Sequence, residues 1–234
     1  MKKNKEGNKF NVLFSFPRSG NSWVRYIVEF ISKRPTCHNP VKRAGEGYLQ
    51  KSQVISSSVD LGVDISKKAI LIKRHNFELD YDNWNKDTCR LVFLIRDYHE
   101  AILRHSKAAG TLSKIKKWTG EYIKCISNYD QFDGDKILIY YEDLLINPKK
   151  EITKLCEFLD IEDSKHFGSF FKNYDRHKLT SSKYYVGGAS MTKGNVNSLS
   201  WHSDQANPIV ISEIKKHIES NKNIYNKYLK RYKK

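Results

Sequence analysis

The chain has 234 residues, of which 39% are hydrophobic and 29% charged, and its formal net charge is +16. That length suits a single α/β domain over 1–234 with a substantial core, and no apolar run is long enough to span a bilayer. The charge makes nucleic acid, a phosphorylated cofactor or an anionic substrate plausible partners, although a bias toward Lys, Asn, Ile and Tyr accounts for the surplus as well. The basic start Met1 to Glu6 is followed by no apolar signal core, so a cytoplasmic location is expected. Cys37, Cys89, Cys125 and Cys156 form neither a CxxC pair nor a Cys/His cluster at zinc spacing. No disulfide and no metal are expected, and Cys125 and Cys156 fall on apolar helix faces as core thiols.

Residues 9 to 15 read as a short buried strand. A Pro/Gly turn follows, and then Trp23, Ile27, Phe30 and Ile31 recur at helical spacing, with Ser19 or Asn21 as N-cap and Pro35 as terminator. Residues 35 to 66 are polar and read as a long surface excursion. Three further buried strands are expected at 69 to 73, 91 to 95 and 137 to 141. Helices are expected near 100 to 107, along the stripe Ile115 to Tyr129 with Ser113 as N-cap, and from Asn147-Pro148 through Leu159. Residues 177 to 204 read as polar and irregular, and a last amphipathic helix carries Ile211, Ile214 and Ile218 through Tyr225 to Leu229. Strands that are apolar on both faces and alternate with helices imply a three-layer α/β fold with a central parallel sheet flanked by helices. Ligands of such sheets sit beyond the carboxyl ends of the strands.

Chemistry is concentrated where the first strand ends, at Ser15-Phe16-Pro17-Arg18-Ser19-Gly20-Asn21-Ser22-Trp23. Gly20 lets backbone approach a ligand, amide N–H groups and the helix N-terminus favour an anion, and Arg18 adds a fork of donors. Ser19, Asn21 and Ser22 add polar side chains. The Walker lysine of nucleotide triphosphatases is missing. An ordinary capped turn is the plain alternative.

This string resembles the 5′-phosphosulfate loop of the sulfotransferases that use 3′-phosphoadenosine 5′-phosphosulfate (PAPS), in the Phe-Pro-Arg-Ser-Gly-Asn-[Ser/Thr]-Trp form of bacterial and carbohydrate-type members. The resemblance implies a P-loop-like fold and PAPS as sulfuryl donor, held by Arg18, Ser19, Gly20, Asn21, Ser22 and Trp23. Lys73-Arg74-His75 is similar to the family's Lys-x-His, which makes His75 the general base, and Arg18 stands where cytosolic members carry Lys. Arg96 matches the 3′-phosphate arginine. The serine expected eight residues later is Arg104, the nearest serine is Ser106, and Tyr98 replaces the usual proline. Tyr140-Tyr141-Glu142-Asp143-Leu144 resembles the family's Tyr-Glu-Asp-Leu strand end and brings Tyr141 near the nucleotide. Lys193-Gly194 are what remains of a late phosphate loop, with Thr192 and Asn197 departing from it, and Trp201 is expected to pack a helix rather than cover adenine.

The expected activity is sulfuryl transfer to the hydroxyl of a small-molecule or carbohydrate acceptor without a metal. The alternatives are a P-loop kinase or triphosphatase, a basic nucleic-acid-binding protein suggested by the tail Tyr225 to Lys234, and a sulfotransferase fold without chemistry. Acceptor identity and oligomeric state stay open, and nucleic acid is not the expected partner.

Overall fold

In a computed structural model of the chain, the structure describes residues 9–38, 61–64, 66–75, 85–106, 111–162, 165–184 and 206–233. Five parallel strands form the centre: β1 (Phe10–Phe14), β2 (Thr36–His38), β3 (Leu71–Arg74), β4 (Cys89–Ile95) and β5 (Lys136–Tyr140). Their spatial order is β2-β3-β1-β4-β5. β1 is therefore the switch strand. The chain leaves it for β2 and β3 on one side, then returns to β4 and β5 on the other.

Side-chain alternation assigns the two faces. Val12 and Phe14 of β1, with Leu91, Phe93 and Ile95 of β4, face one apolar cluster. That cluster is completed by α2 (Tyr98–Ser106), α3 (Leu112–Gln131) and α8 (Pro208–Ser220). Leu13, Val92, Leu94 and Ile139 face the other cluster, with α1 (Asn21–Ser32), α4 (Tyr141–Ile146), α5 (Pro148–Phe158) and α6 (Lys165–Lys172). A central strand buried on both faces cannot show period-two polarity, which is why β4 reads as a continuous apolar run. All four cysteines are buried free thiols. Burial pushes Cys37 and Cys89 up to about 11 and Cys125 to about 12, so none is poised to react.

The expected elements recur, with several corrections. Residues 36 to 38 are a strand rather than part of an excursion, because Arg25 and Glu29 of α1 supply side-chain partners for it. Arg25 Nε donates to Thr36 Oγ1 at 2.8 Å, and Thr36 donates to Glu29 Oε1 from its hydroxyl at 2.6 Å and its amide at 2.9 Å. No three-residue pattern carries that signal. The remainder of that segment, 39–60, lies outside the described residues. The N-cap of α1 is Gly20, with no side-chain cap, and that of α3 is Thr111 rather than Ser113. α1 is capped at its C-terminus by Lys33 in the left-handed region, two residues before Pro35.

α6 has no counterpart in the sequence reading, and α7 (Tyr174–Tyr184) replaces the irregular chain expected from 177. The last helix breaks up after α8 into α9 (Lys222–Ile224), a π turn (Tyr225–Leu229) and a 3₁₀ turn (Lys230–Tyr232). Leu229 and Tyr232 are buried there. Arg231 forms a double hydrogen bond with Asp143, and Lys227 pairs with Asp130. Basic residues of the tail are thus engaged with carboxylates of the chain itself. Among the described residues, no helix is long and apolar enough to cross a membrane.

Candidate active site

Four strands release candidate side chains at one edge of the sheet. β1 ends in the loop, β3 in Arg74-His75, β4 in Arg96 and β5 in Tyr141. Phe14 is in register with Arg74 on one side and Phe93 on the other, so the loop rises between the ends of β3 and β4.

The loop is built from two left-handed positions, Arg18 at φ 68° and Gly20 at φ 103°. Gly20 has the freedom such an angle needs, whereas at Arg18 it costs about 1–2 kcal/mol. Asn21 Nδ2 donates to Ser15 Oγ at 2.6 Å, and Ser15 Oγ donates to the carbonyl of Phe16 at 2.9 Å. Asn21 therefore braces the loop from within. The amides of Trp23 and Val24 close the first helical turn on the carbonyl of Gly20. Ser19 is wholly buried, and its hydroxyl has no partner among the described residues. Arg18 and Ser22 are exposed. Trp23 points into the core, stacked on Tyr26 and edge-on to Tyr174, so it anchors the helix beneath the loop.

His75 is half-buried. Its Nδ1 lies 3.0 Å from the carbonyl of Ser15. A carbonyl only accepts, so Nδ1 carries the proton and Nε2 is the basic nitrogen of the neutral ring. The loop thus orients the histidine as well as offering its own donors.

Lys73, two residues before His75, is a further half-buried cation near Arg18 of the loop, to which the sequence reading assigned no role. Burial, then Arg25 and Arg18, lower its ammonium to about 8. Its signal was the Lys-x-His spacing itself. His105, also unassigned, is lowered by burial and then by Arg18. It stands edge-on to Phe16 and Trp118, forming a wall beside the loop.

On the other flank, the guanidinium of Arg96 lies 4.4 Å from the ring centre of Tyr141, a cation–π contact. Tyr141 in turn packs on Gly20, and a Cβ built there would come within 2.3 Å of its Cδ2. Tyr141 is the first residue of α4 rather than the end of a strand. Arg96 Nη1 donates to the carbonyl of Arg18 at 3.4 Å, while its Nε is buried without a partner among the described residues. The Arg96 backbone is fixed from behind. Its carbonyl accepts from Tyr122 at 2.6 Å, and the next amide, Asp97 N–H, donates to Glu142 at 3.0 Å. Tyr232 donates to the other oxygen of Glu142 at 2.7 Å.

Arg104 Nε donates to Glu100 at 3.1 Å, on the side of α2 that meets Arg96. Ser106 instead donates to the carbonyl of Leu103 at 3.0 Å, within its own helix. Lys193, Gly194 and Trp201 lie outside the described residues. Among the described residues there is no cluster of three or more ligand side chains able to hold a metal ion.

No family model matches the chain. Sulfotransferase 1B1 of Mus musculus is 24% identical over 184 residues, covering 64% of this chain and 58% of the relative. A WSCD family member of Aedes aegypti is 24% identical over 179 residues, covering 68% of this chain and 52% of that protein. The chain thus spans a little over half the length of the curated relatives it matches. Among solved structures, mouse sulfotransferase SULT7A1 complexed with PAP superimposes with a TM-score of 0.60 at 15% identity, covering 98% of this chain and 89% of that one. Retinol dehydratase in complex with retinol and PAP gives 0.55 at 12% identity, covering 90% and 80%. The five-stranded parallel sheet, with its loop at the switch strand, and these superpositions agree that the chain has the fold of SULT7A1 and retinol dehydratase, and its sequence is similar to that of a mouse sulfotransferase.

Proposed function

We propose that the protein transfers a sulfuryl group from PAPS to the hydroxyl of a small-molecule or carbohydrate acceptor. The observation that carries this reading is the convergence of the anion loop, His75 and Arg96 at three neighbouring strand ends. Two buried donors without partners among the described residues, Ser19 Oγ and Arg96 Nε, suit a ligand with an anionic group at each flank. The relatives add support, since SULT7A1 and retinol dehydratase were crystallised with PAP, and the latter also with retinol.

PAPS, when bound, supplies the activated sulfuryl group. The protein's part is to orient, to stabilise charge and to move one proton. The loop amides and Ser19 hold the 5′-phosphosulfate. His75, its Nδ1 tied to Ser15, accepts the acceptor's hydroxyl proton at Nε2. Arg18 balances the charge left on the 5′-phosphate oxygen as its bond to sulfur breaks. Arg96 and Arg104 hold the 3′-phosphate. Arg104 is preferred to Ser106 because it faces Arg96 across Glu100, while Ser106 is engaged with its own helix.

The test is thermal unfolding with 3′-phosphoadenosine 5′-phosphate (PAP) or with ATP and magnesium. Selective stabilisation by PAP is expected. Stabilisation by magnesium-ATP alone would favour a kinase-like activity instead.

A further inference from the structure

Glu100 is wholly buried on α2, behind the Arg96 flank of the site. Its Oε2 accepts from Arg104 Nε at 3.1 Å and stands 3.9 Å from Arg96 Nη2. Glu100 and Arg104 are four apart and share one face of α2, and Arg96, in the turn between β4 and α2, meets that face at Glu100. A carboxylate removed from water needs compensation, and one guanidinium would provide it. Here there are two, and the trio keeps one net positive charge.

We propose that Glu100 is a positioning residue: it holds Arg104 beside Arg96 so that the two guanidiniums form a paired grip for the donor's ribose 3′-phosphate. The inference rests on the donor reading above and extends it to a residue that touches no ligand. Arg104 lies where Arg96 repels it. Its proton affinity is lowered, first by burial and then by the Arg96 charge. Two like charges that feel each other in a buried setting are unfavourable unless anions join them. Glu100 is one anion, and a phosphate dianion at the open side completes the balance. Arg96 Nε, buried and without a partner among the described residues, is a donor that Glu100 does not take up. The Tyr141 ring limits how far Arg96 can move, so the carboxylate sets the spacing between the two guanidiniums.

Titration calorimetry of the full chain with PAP and with 5′-AMP, which lacks the 3′-phosphate, separates this role from a structural one. Glu100→Gln is expected to weaken PAP about tenfold and leave 5′-AMP unchanged. Arg104→Ser should do the same, and the double variant should be no worse than either single one, because both changes remove the same grip. Equal weakening of both nucleotides in E100Q, or additive effects in the double variant, would overturn the inference. If E100Q does not fold, R104S carries the test alone, and a wild-type preference for PAP in that variant overturns the idea. A wild-type chain that binds PAP no better than 5′-AMP defeats the donor reading itself, whatever the variants do.

Discussion

The ring of Tyr141 occupies the space that a side chain at residue 20 would need: a Cβ on Gly20 would lie 2.3 Å from Tyr141 Cδ2 and 2.4 Å from Cε2. One contact therefore joins the loop after β1 to the start of α4. Because Arg96 rests on the same ring, it also links the two flanks of the site.

Gly20→Ala should damage the protein twice, through the clash with Tyr141 and through the left-handed angle of 103°. A loss of about 1–3 kcal/mol in urea unfolding is expected, with loss of PAP binding. In a Tyr141→Ala background the same Gly20→Ala change should cost less than in the wild type, because the clash is gone and only the backbone strain remains. An equal cost in both backgrounds would show that the Tyr141 ring does not oppose a side chain at residue 20.

His75→Ala should lower the transfer rate by about 10²–10⁴-fold, the usual contribution of a general base. PAP affinity, read by calorimetry, should stay near that of the wild type, since the loop and Arg96 remain. His75→Gln should not restore turnover, although an amide can still donate to the carbonyl of Ser15. Turnover close to wild type in either variant would remove His75 from the proton transfer.

Lys73 predicts two opposite pH effects. Burial lowers its folded value to about 8, against about 10.4 for an ordinary lysine. Between those values the unfolded chain holds a proton that the folded chain has shed, so this group makes stability rise with pH across that window. Below about 8 both states hold the proton and the buried charge is a fixed cost. Lys73→Met should raise the unfolding midpoint below about pH 8 and flatten the rise above it. PAP affinity should do the reverse in the wild type, falling as pH rises through about 8, and this fall should be absent in K73M. A fall of equal size in K73M would assign it to another group.

Much of the fold was legible because parallel strands covered on both faces must be apolar throughout. β1, β3, β4 and β5 each announced themselves in this way. β2 did not, because three residues carry no pattern and its stability comes from Arg25 and Glu29 on another element. α6 and α7 were also missed. Phe170 is buried beside Trp23 and Tyr26 stands next to His177, so these helices are held by aromatic contacts to α1 rather than by local preference.

By itself, the sequence determined the candidate loop after β1, the four longer strands and the helices between them, and the candidate partners His75 and Arg96, because local chemistry and hydrophobic pattern are properties of short segments. Only the tertiary structure decided what each side chain does there. It turned Trp23 into the core, directed Asn21 to Ser15, fixed the tautomer of His75, and set Arg104 rather than Ser106 toward Arg96. Those outcomes depend on contacts between residues as far apart as 15 and 75, or 20 and 141, and no local pattern encodes such pairs. The flank at Arg96, where the sequence departs most from the motif it resembles, is where this difference matters most: an arginine at 104 is a departure in sequence, and in the structure it meets buried Glu100 together with Arg96.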